Sequence, residues 1–115
     1  MLKIRNTSLK VGEYIQKMLK SPANVVFVGC VKKYSKGREV SYVEVDLNPS
    51  MRRKLEEKLR EVGDVYLEIR VGVLKPGEPL SIVIGWGETR EEAFRRCRDA
   101  LESMKHHVKL TEYYT

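Results

Sequence analysis

Residues 65–86, which read VYLEIRVGVLKPGEPLSIVIGW, contain the clearest structural pattern of this chain. Two runs rich in valine, isoleucine and leucine, Val65 to Leu74 and Leu80 to Trp86, lie on either side of Lys75-Pro76-Gly77-Glu78. Such runs are typical of strands. Proline presets the first angle of a type II turn, and glycine tolerates the positive φ that comes next. The stretch therefore predicts a hairpin of two antiparallel strands.

An amphipathic helix is predicted on each side of this hairpin. Upstream, Asn48 or Ser50 can cap a helix that ends at Gly63. The apolar stripe of that helix consists of Met51, Leu55, Leu59 and Val62. Downstream, Thr89-Arg90-Glu91-Glu92 has the pattern of a capping box. The helix that follows has a predicted buried face made of Ala93, Phe94, Cys97, Ala100, Leu101 and Met104.

The N-terminal part of the chain predicts a third helix and a second hairpin. Ser8 can cap the helix, whose apolar face is Val11, Tyr14, Ile15, Met18 and Leu19. Asn24 to Val31 and Arg38 to Leu47 have the composition and alternation of strands. Because only a polar turn, Tyr34 to Gly37, separates them, they are predicted to pair with each other.

Short strands are also predicted at Leu2 to Arg5 and from Val108 onwards, which gives the order β-α-β-β-α-β-β-α-β. Hairpins rather than βαβ crossovers occupy the middle of this order, and this favours an antiparallel sheet packed with three helices. The chain has 115 residues, a usual size for one domain. We therefore expect an α+β fold in which residues 1–115 form a single domain.

Charge and hydropathy limit the partners of this protein. The formal net charge of +6 favours an acidic partner, such as a phosphate, a carboxylate tail or a nucleic acid. No apolar run approaches the roughly 18 residues that a membrane span requires. The N-terminus also lacks the pattern of a signal peptide. We expect a cytoplasmic protein with no membrane partner.

The residue types that bind metals do not form a recognisable site in the sequence. Cys30 and Cys97 are far apart in apolar patterns and are predicted to be reduced, buried side chains. His106 and His107 are adjacent, and neighbouring side chains on a strand point to opposite faces. They are therefore not expected to hold one ion together, and we expect neither a metal nor another cofactor.

Known catalytic signatures are absent, but several short segments together carry a resemblance. These segments are VFVGCVK at residues 26–32, RVG at 70–72 and TREEAFRRCR at 89–98, followed by Met104-Lys105. In this order and spacing the chain resembles the large, catalytic subunit of molybdopterin synthase. Members of that family typically read F-x-G-x-V-R, H-R-[VI]-G, H-R-x-E-A-F-x-A-C, L-K and W-K-K-E. The resemblance covers nearly the whole chain.

The resemblance implies a fold, partners and a reaction. The fold is an α/β hammerhead, and the assembly is a homodimer that binds two small ubiquitin-like sulfur-carrier subunits. The Gly-Gly thiocarboxylate tail of the carrier enters a basic pocket and gives its sulfur to cyclic pyranopterin monophosphate, a step of molybdenum cofactor biosynthesis. Arginine and lysine are suitable partners for both the anionic tail and the substrate phosphate.

Three positions of this sequence match site residues of the family. Lys105 matches the first pocket lysine and is the catalytic candidate, for the chemistry itself or for binding the thiocarboxylate. Arg90 matches the arginine of the second H-R pair and is expected to bind an anion near a helix N-terminus. Lys32 stands where arginine is usual and is expected to bind phosphate. A solvated surface role is the alternative for Lys105 and Arg90.

The sequence departs from the family at three other positions. Thr89 and Ile69 replace the histidines of the two H-R pairs, and Glu112 stands where the second pocket lysine is expected. Lys109 is three residues too early and would point to the other face of a strand. These departures leave two alternatives open. One is a relative that keeps the dimer or the carrier interface but has lost catalysis, and the other is a basic domain that binds nucleic acid.

Overall fold

The computed structural model describes all 115 residues and consists of three helices and eight strands. In chain order these elements are β1 (Leu2–Arg5), α1 (Val11–Met18), β2 (Ala23–Cys30), β3 (Tyr34–Ser35), β4 (Arg38–Asp46), α2 (Pro49–Val62), β5 (Val65–Arg70), β6 (Gly72–Leu74), β7 (Pro79–Gly87), α3 (Arg90–His107) and β8 (Lys109–Tyr114). The expected α+β class is confirmed.

The predicted hairpin of β5 and β7 forms the centre of a four-stranded sheet in the order β1-β5-β7-β2. Ile69 pairs with Ser81 across the antiparallel strands. In the turn, the backbone N–H of Glu78 donates to the carbonyl of Lys75 at 3.1 Å, and Gly77 has a φ of 89°. This geometry fits the predicted type II turn. The sheet is not wholly antiparallel, because β1 pairs with β5 in parallel.

The predicted pairing of β2 with β4 is wrong. β2 pairs with β7, whereas β4 pairs with β3, β6 and β8 in a second sheet. Lys36 and Gly37 have φ values of 55° and 75°, and two consecutive positive angles make a tight two-residue hairpin turn. That turn reverses the chain onto Tyr34 and Ser35, so the partner of β4 is the short β3.

The predicted long strand from Val65 to Leu74 is divided into β5 and β6. Gly72, with a φ of 107°, is the first residue of β6 and allows the chain to change direction there. After this point Val73 pairs with Glu44 of β4. The segment therefore joins the two sheets, and both contribute to one core.

The main core contains buried residues of both sheets and of the helices α2 and α3. Leu55, Leu67, Ile69, Val83 and Ala100 have no exposed surface. The opposite face of the sheet carries a smaller cluster of Tyr66, Ile82, Ile84 and Trp86, which α1 covers. Because both faces are covered, the strands read as nearly continuous apolar runs rather than as alternating ones.

Two of the predicted helix caps are confirmed and one is wrong. The side chain of Asn48 accepts the backbone N–H of Met51 at 2.8 Å, and the hydroxyl of Thr89 accepts that of Glu92 at 3.2 Å. α1 instead begins after Lys10, without a side-chain cap. The predicted cap, Ser8, is exposed and lies three residues before the first helical residue.

Three predicted side-chain environments need correction. Phe94 is 61% exposed on α3, because its angular position lies outside the face that meets the sheet. Cys30 is exposed at a register shift of β2, and only Cys97 is buried. His106 and His107 end α3 instead of lying on a strand. None of the helices has both the length and the apolar content that crossing a membrane would require.

Candidate functional site

A cavity of about 420 Å³ lies where the edge of the four-stranded sheet meets the last turns of α3. Its wall is mainly apolar and includes the side chains of Phe27, Ile69 and Met104. The ionisable groups in its lining are Lys32 and Lys105, and we call this cavity the two-lysine pocket. No carboxylate belongs to the lining, so the charge of the pocket wall is positive.

The helical repeat of α3 directs Lys105 towards this pocket. Leu101 and Lys105 line the pocket together, at the spacing of four residues that shares one helix face, and Val108 lines it just after the helix ends. The Nζ atom of Lys105 lies 3.8 Å from a carboxylate oxygen of Glu102. Both side chains are more than half exposed, so this pair is weak. Lys105 is therefore free to meet an incoming anion.

Lys32 comes from the loop that follows β2, and the hairpin turn holds this loop in place. The backbone N–H of Val31 donates to the carbonyl of Glu78 at 3.0 Å, and the carbonyl of Val31 accepts the N–H of Gly77 at 2.9 Å. These two bonds place the next residue, Lys32, at the rim of the pocket. The local turn chemistry of the central hairpin therefore positions one of the two cations.

The turn itself is supported by an ion pair between Glu78 and Arg70. The Glu78 carboxylate also accepts the backbone N–H of Lys75 at 3.0 Å. This backbone bond, and then the arginine, lower the pKa of the Glu78 carboxyl below its ordinary value. The ionised carboxylate thus stabilises the turn on which the Lys32 loop rests.

Arg90 lies apart from the two lysines. It is the exposed first residue of α3, fifteen residues before Lys105, and a helix of that length separates the two by about 22 Å. The helix dipole and the free N–H groups of the first turn make this end of α3 attractive to anions. Within one chain, however, Arg90 does not line the pocket that Lys32 and Lys105 share.

The three departures from the family pattern lie in different surroundings. Ile69 is fully buried in the pocket wall, and Thr89 is the N-cap of α3. Glu112, on β8, accepts hydrogen bonds from the hydroxyls of Ser35 at 3.0 Å and Tyr114 at 3.3 Å. Glu112 is not part of the pocket lining, so its charge does not cancel that of the two lysines directly. Lys109 lines a separate depression.

One polar residue of the pocket was not identified from the sequence. Ser81 lies in β7 with no exposed surface, and its hydroxyl oxygen has no hydrogen-bond partner. It lines the pocket between Gly29 on β2 and Ile69 on β5. The available signal was a single hydroxyl in the apolar run LSIVI at residues 80–84.

A second group of buried polar side chains lies on the other face of the sheet. The fully buried carboxylate of Glu68 accepts hydrogen bonds from Arg5 and Tyr66. Burial, and then the bond to Glu68, raise the pKa of the Tyr66 phenol. Helix α1 covers this face, so these groups satisfy one another inside the fold. No set of three or more His, Cys, Asp or Glu side chains is placed to hold a metal ion.

Comparisons with known proteins agree with one another. The sequence matches the family described as "MoaE protein" over residues 4–107. It is 36% identical over 90 residues to the molybdopterin synthase catalytic subunit of Pseudomonas aeruginosa, and the match covers 72% of this chain and 60% of that protein. The chain thus spans about three fifths of the length of this relative.

Solved structures share the fold at low sequence identity. Molybdopterin synthase from Staphylococcus aureus superposes with a TM-score of 0.80 and 22% identity, covering 98% of this chain and 90% of that one. A complex of subunits 1 and 2 of molybdopterin-converting factor from Helicobacter pylori contains a chain with a TM-score of 0.73 and 19% identity. In that case the match covers 98% of this chain and 84% of the other.

Proposed function

Because the chain belongs to the MoaE protein family, we propose that it acts as a molybdopterin synthase catalytic subunit in molybdenum cofactor biosynthesis. In this proposal it transfers sulfur from the thiocarboxylate tail of a small ubiquitin-like carrier subunit to cyclic pyranopterin monophosphate. The observation that carries the proposal is the shared pocket of Lys32 and Lys105, the two positions that match pocket residues of the family and line one cavity.

The electrostatics of the pocket suit a reaction between two anions. A thiocarboxylate and a phosphate repel each other, and at about 4 Å this repulsion is worth roughly 1 kcal/mol in water and about 4 kcal/mol near a protein surface. Lys32 and Lys105 offset this repulsion while the apolar wall limits water. We assign phosphate binding to Lys32. We assign Lys105 to the thiocarboxylate, where a lysine can act as a proton acceptor or nucleophile once it is deprotonated.

A homodimer would explain why Arg90 matches the family and yet lies far from the pocket. In one chain about 22 Å of helix separates Arg90 from Lys105. A second copy can bring its own Arg90 to the pocket of the first. Mixing an Arg90→Ala variant with a Lys105→Ala variant tests this arrangement. If each variant is inactive alone and pockets are shared between copies, every mixed dimer contains one intact pocket and recovers activity. An Arg90→Ala variant that is fully active alone would show that Arg90 does not serve the pocket.

The central experiment is a reconstituted assay with thiocarboxylated carrier and cyclic pyranopterin monophosphate. We expect the wild type to form product and the Lys105→Ala variant to form none. Lys109→Ala is the matched control, because it removes a lysine that lies four residues along the chain but outside the pocket. Full activity of Lys105→Ala would remove Lys105 from the mechanism.

A second candidate function follows from the three departures at Ile69, Thr89 and Glu112. With isoleucine and threonine in place of two histidines, the chain can keep the carrier interface without catalysing the transfer. Calorimetric titration with the carrier separates the two candidates. Stoichiometric binding without turnover by the wild type would support the inactive relative, and turnover would exclude it.

A further inference from the structure

The unpartnered hydroxyl of Ser81 requires an explanation, because buried polar groups are normally hydrogen-bonded. Its side chain has no exposed surface and faces the two-lysine pocket from the sheet. The neighbouring strand positions carry isoleucine and valine, which would fill this space without any cost of burying a hydroxyl. An unpartnered hydroxyl in the wall of a pocket is what we expect of a group that binds a ligand.

Gly29 leaves a gap directly in front of this hydroxyl. Gly29 is the cross-strand partner of Ser81, and a Cβ at Gly29 would lie 3.2 Å from the Ser81 Oγ and 3.1 Å from the ring of Phe27. A Cβ would be crowded at both distances, so glycine is the residue that leaves the Ser81 hydroxyl uncovered by a side chain at position 29. Phe27 borders the same gap and is 39% exposed, so its ring can move towards solvent when a ligand enters.

We propose that the Ser81 hydroxyl is a binding group of the pocket, which donates a hydrogen bond to the terminal carboxylate or thiocarboxylate of a Gly-Gly tail held between Lys32 and Lys105. This inference rests on the proposed function and adds one residue to its site. A tail that ends in two glycines has no side chains that would clash with the Phe27 ring on the way to the hydroxyl. The terminal oxygen of the tail accepts a hydrogen bond from the Ser81 hydroxyl, which has no other partner.

The proposal predicts opposite effects of Ser81→Ala on stability and on binding. Removing an unpartnered buried hydroxyl relieves a cost of the free protein, so the melting temperature should rise by about 2–5 °C. Removing a hydrogen bond to a charged ligand should weaken carrier binding by about tenfold. Ser41→Ala, at an exposed serine of β4, is the matched control and should change neither quantity.

The test is calorimetric titration of the wild type and Ser81→Ala with two carriers, one complete and one lacking its last two glycines. We expect the tenfold loss only with the complete carrier. An equal loss with both carriers would mean that Ser81 acts through the fold, and no loss with either would mean that it does not contact the tail; both results overturn its role. If the wild type itself binds both carriers equally, or neither, the proposed function fails as well.

Discussion

Replacing Gly85 by alanine perturbs the contact between α3 and the four-stranded sheet. Gly85 is buried in β7, and a Cβ at this position would lie 2.3 Å from the carbonyl oxygen of Ala93 and 2.6 Å from the backbone nitrogen of Cys97. Both atoms belong to the backbone of α3 and cannot rotate away. To bring the closer contact to 3.0 Å, the helix must move away from the sheet by about 0.7 Å.

The loss of stability in Gly85→Ala can be estimated from this displacement. Overpacking a well-filled core typically costs about 1–3 kcal/mol. Alanine has less conformational freedom than glycine in the unfolded chain, and this offsets less than about 1 kcal/mol of the overpacking cost. We therefore expect the free energy of unfolding to fall by about 1–2 kcal/mol, which lowers the melting temperature of a chain of this size by roughly 4–12 °C.

The same substitution elsewhere in the chain provides the control. Gly12 is exposed in α1, and a Cβ there would meet no atom within 4 Å. Alanine is favoured over glycine in a helix by about 0.5–1 kcal/mol, so Gly12→Ala should raise the melting temperature by a few degrees. The two variants differ only in position, and their effects should have opposite signs.

Thermal unfolding followed by circular dichroism, together with urea titration, measures both variants. If Gly85→Ala melts within 2 °C of the wild type, or above it, then α3 does not approach the sheet as closely as described. Because α3 also carries Lys105, a displaced helix should weaken binding at the two-lysine pocket. Such a loss should be absent in Gly12→Ala.

Three further predictions concern single side chains. A maleimide should label one thiol in the native protein, that of Cys30, and two after denaturation, because Cys97 is buried and burial raises the pKa of its thiol. Glu78→Gln should lower the stability at pH 7 by about 1 kcal/mol. The pKa of this carboxyl is lowered first by the backbone N–H of Lys75, so the deficit should persist above the ordinary carboxyl pKa of about 4.3 and disappear as the pH falls through the folded value. Urea titrations between pH 7 and 3 measure this difference, and a deficit that is independent of pH would contradict it. Thr89→Ala should cost about 1 kcal/mol through loss of the N-cap of α3, whereas Thr89→Ser should cost little; equal melting temperatures of the alanine variant and the wild type would show that the cap is not needed.

The features that could be predicted from the sequence are those determined by neighbouring residues. The Pro76-Gly77 turn and the caps at Asn48 and Thr89 depend on contacts within four residues, and each was correctly located. Glycine in a strand permits another backbone to approach closely, but the sequence does not identify α3 as the element that packs on Gly85.

The pairing of β2 was mispredicted because strand pairing depends on distant residues. β2 and β4 are close in sequence and separated by a turn, so a hairpin was the simplest interpretation. Lys36 and Gly37, which have positive φ values, form a turn that pairs β4 with β3 instead. β2 pairs with β7. Several strands can compete for the same partner, and the sequence near one strand does not show which of them will pair with it.

The candidate site was predictable only in part for the same reason. Lys32 and Lys105 could be found because each lies in a segment that matches a family motif. Ser81 carries no such motif, and in sequence it reads as an ordinary residue of a strand. Its unpartnered hydroxyl is visible only once Gly29 and α3 are in place around it.

The departures from the family pattern leave the positive charge of the pocket lining in place. Glu112 is hydrogen-bonded to two hydroxyls outside the lining, so it leaves the positive charge of Lys32 and Lys105 in place. Ile69 makes the wall more apolar, and a lower local dielectric strengthens the attraction of both lysines for an anion. The lining of the pocket therefore keeps its positive charge and contains no histidine, and under the proposed function Lys105 is the group assigned to proton transfer. No third cation lines the pocket of one chain, and in the proposed homodimer Arg90 of the second copy would supply it.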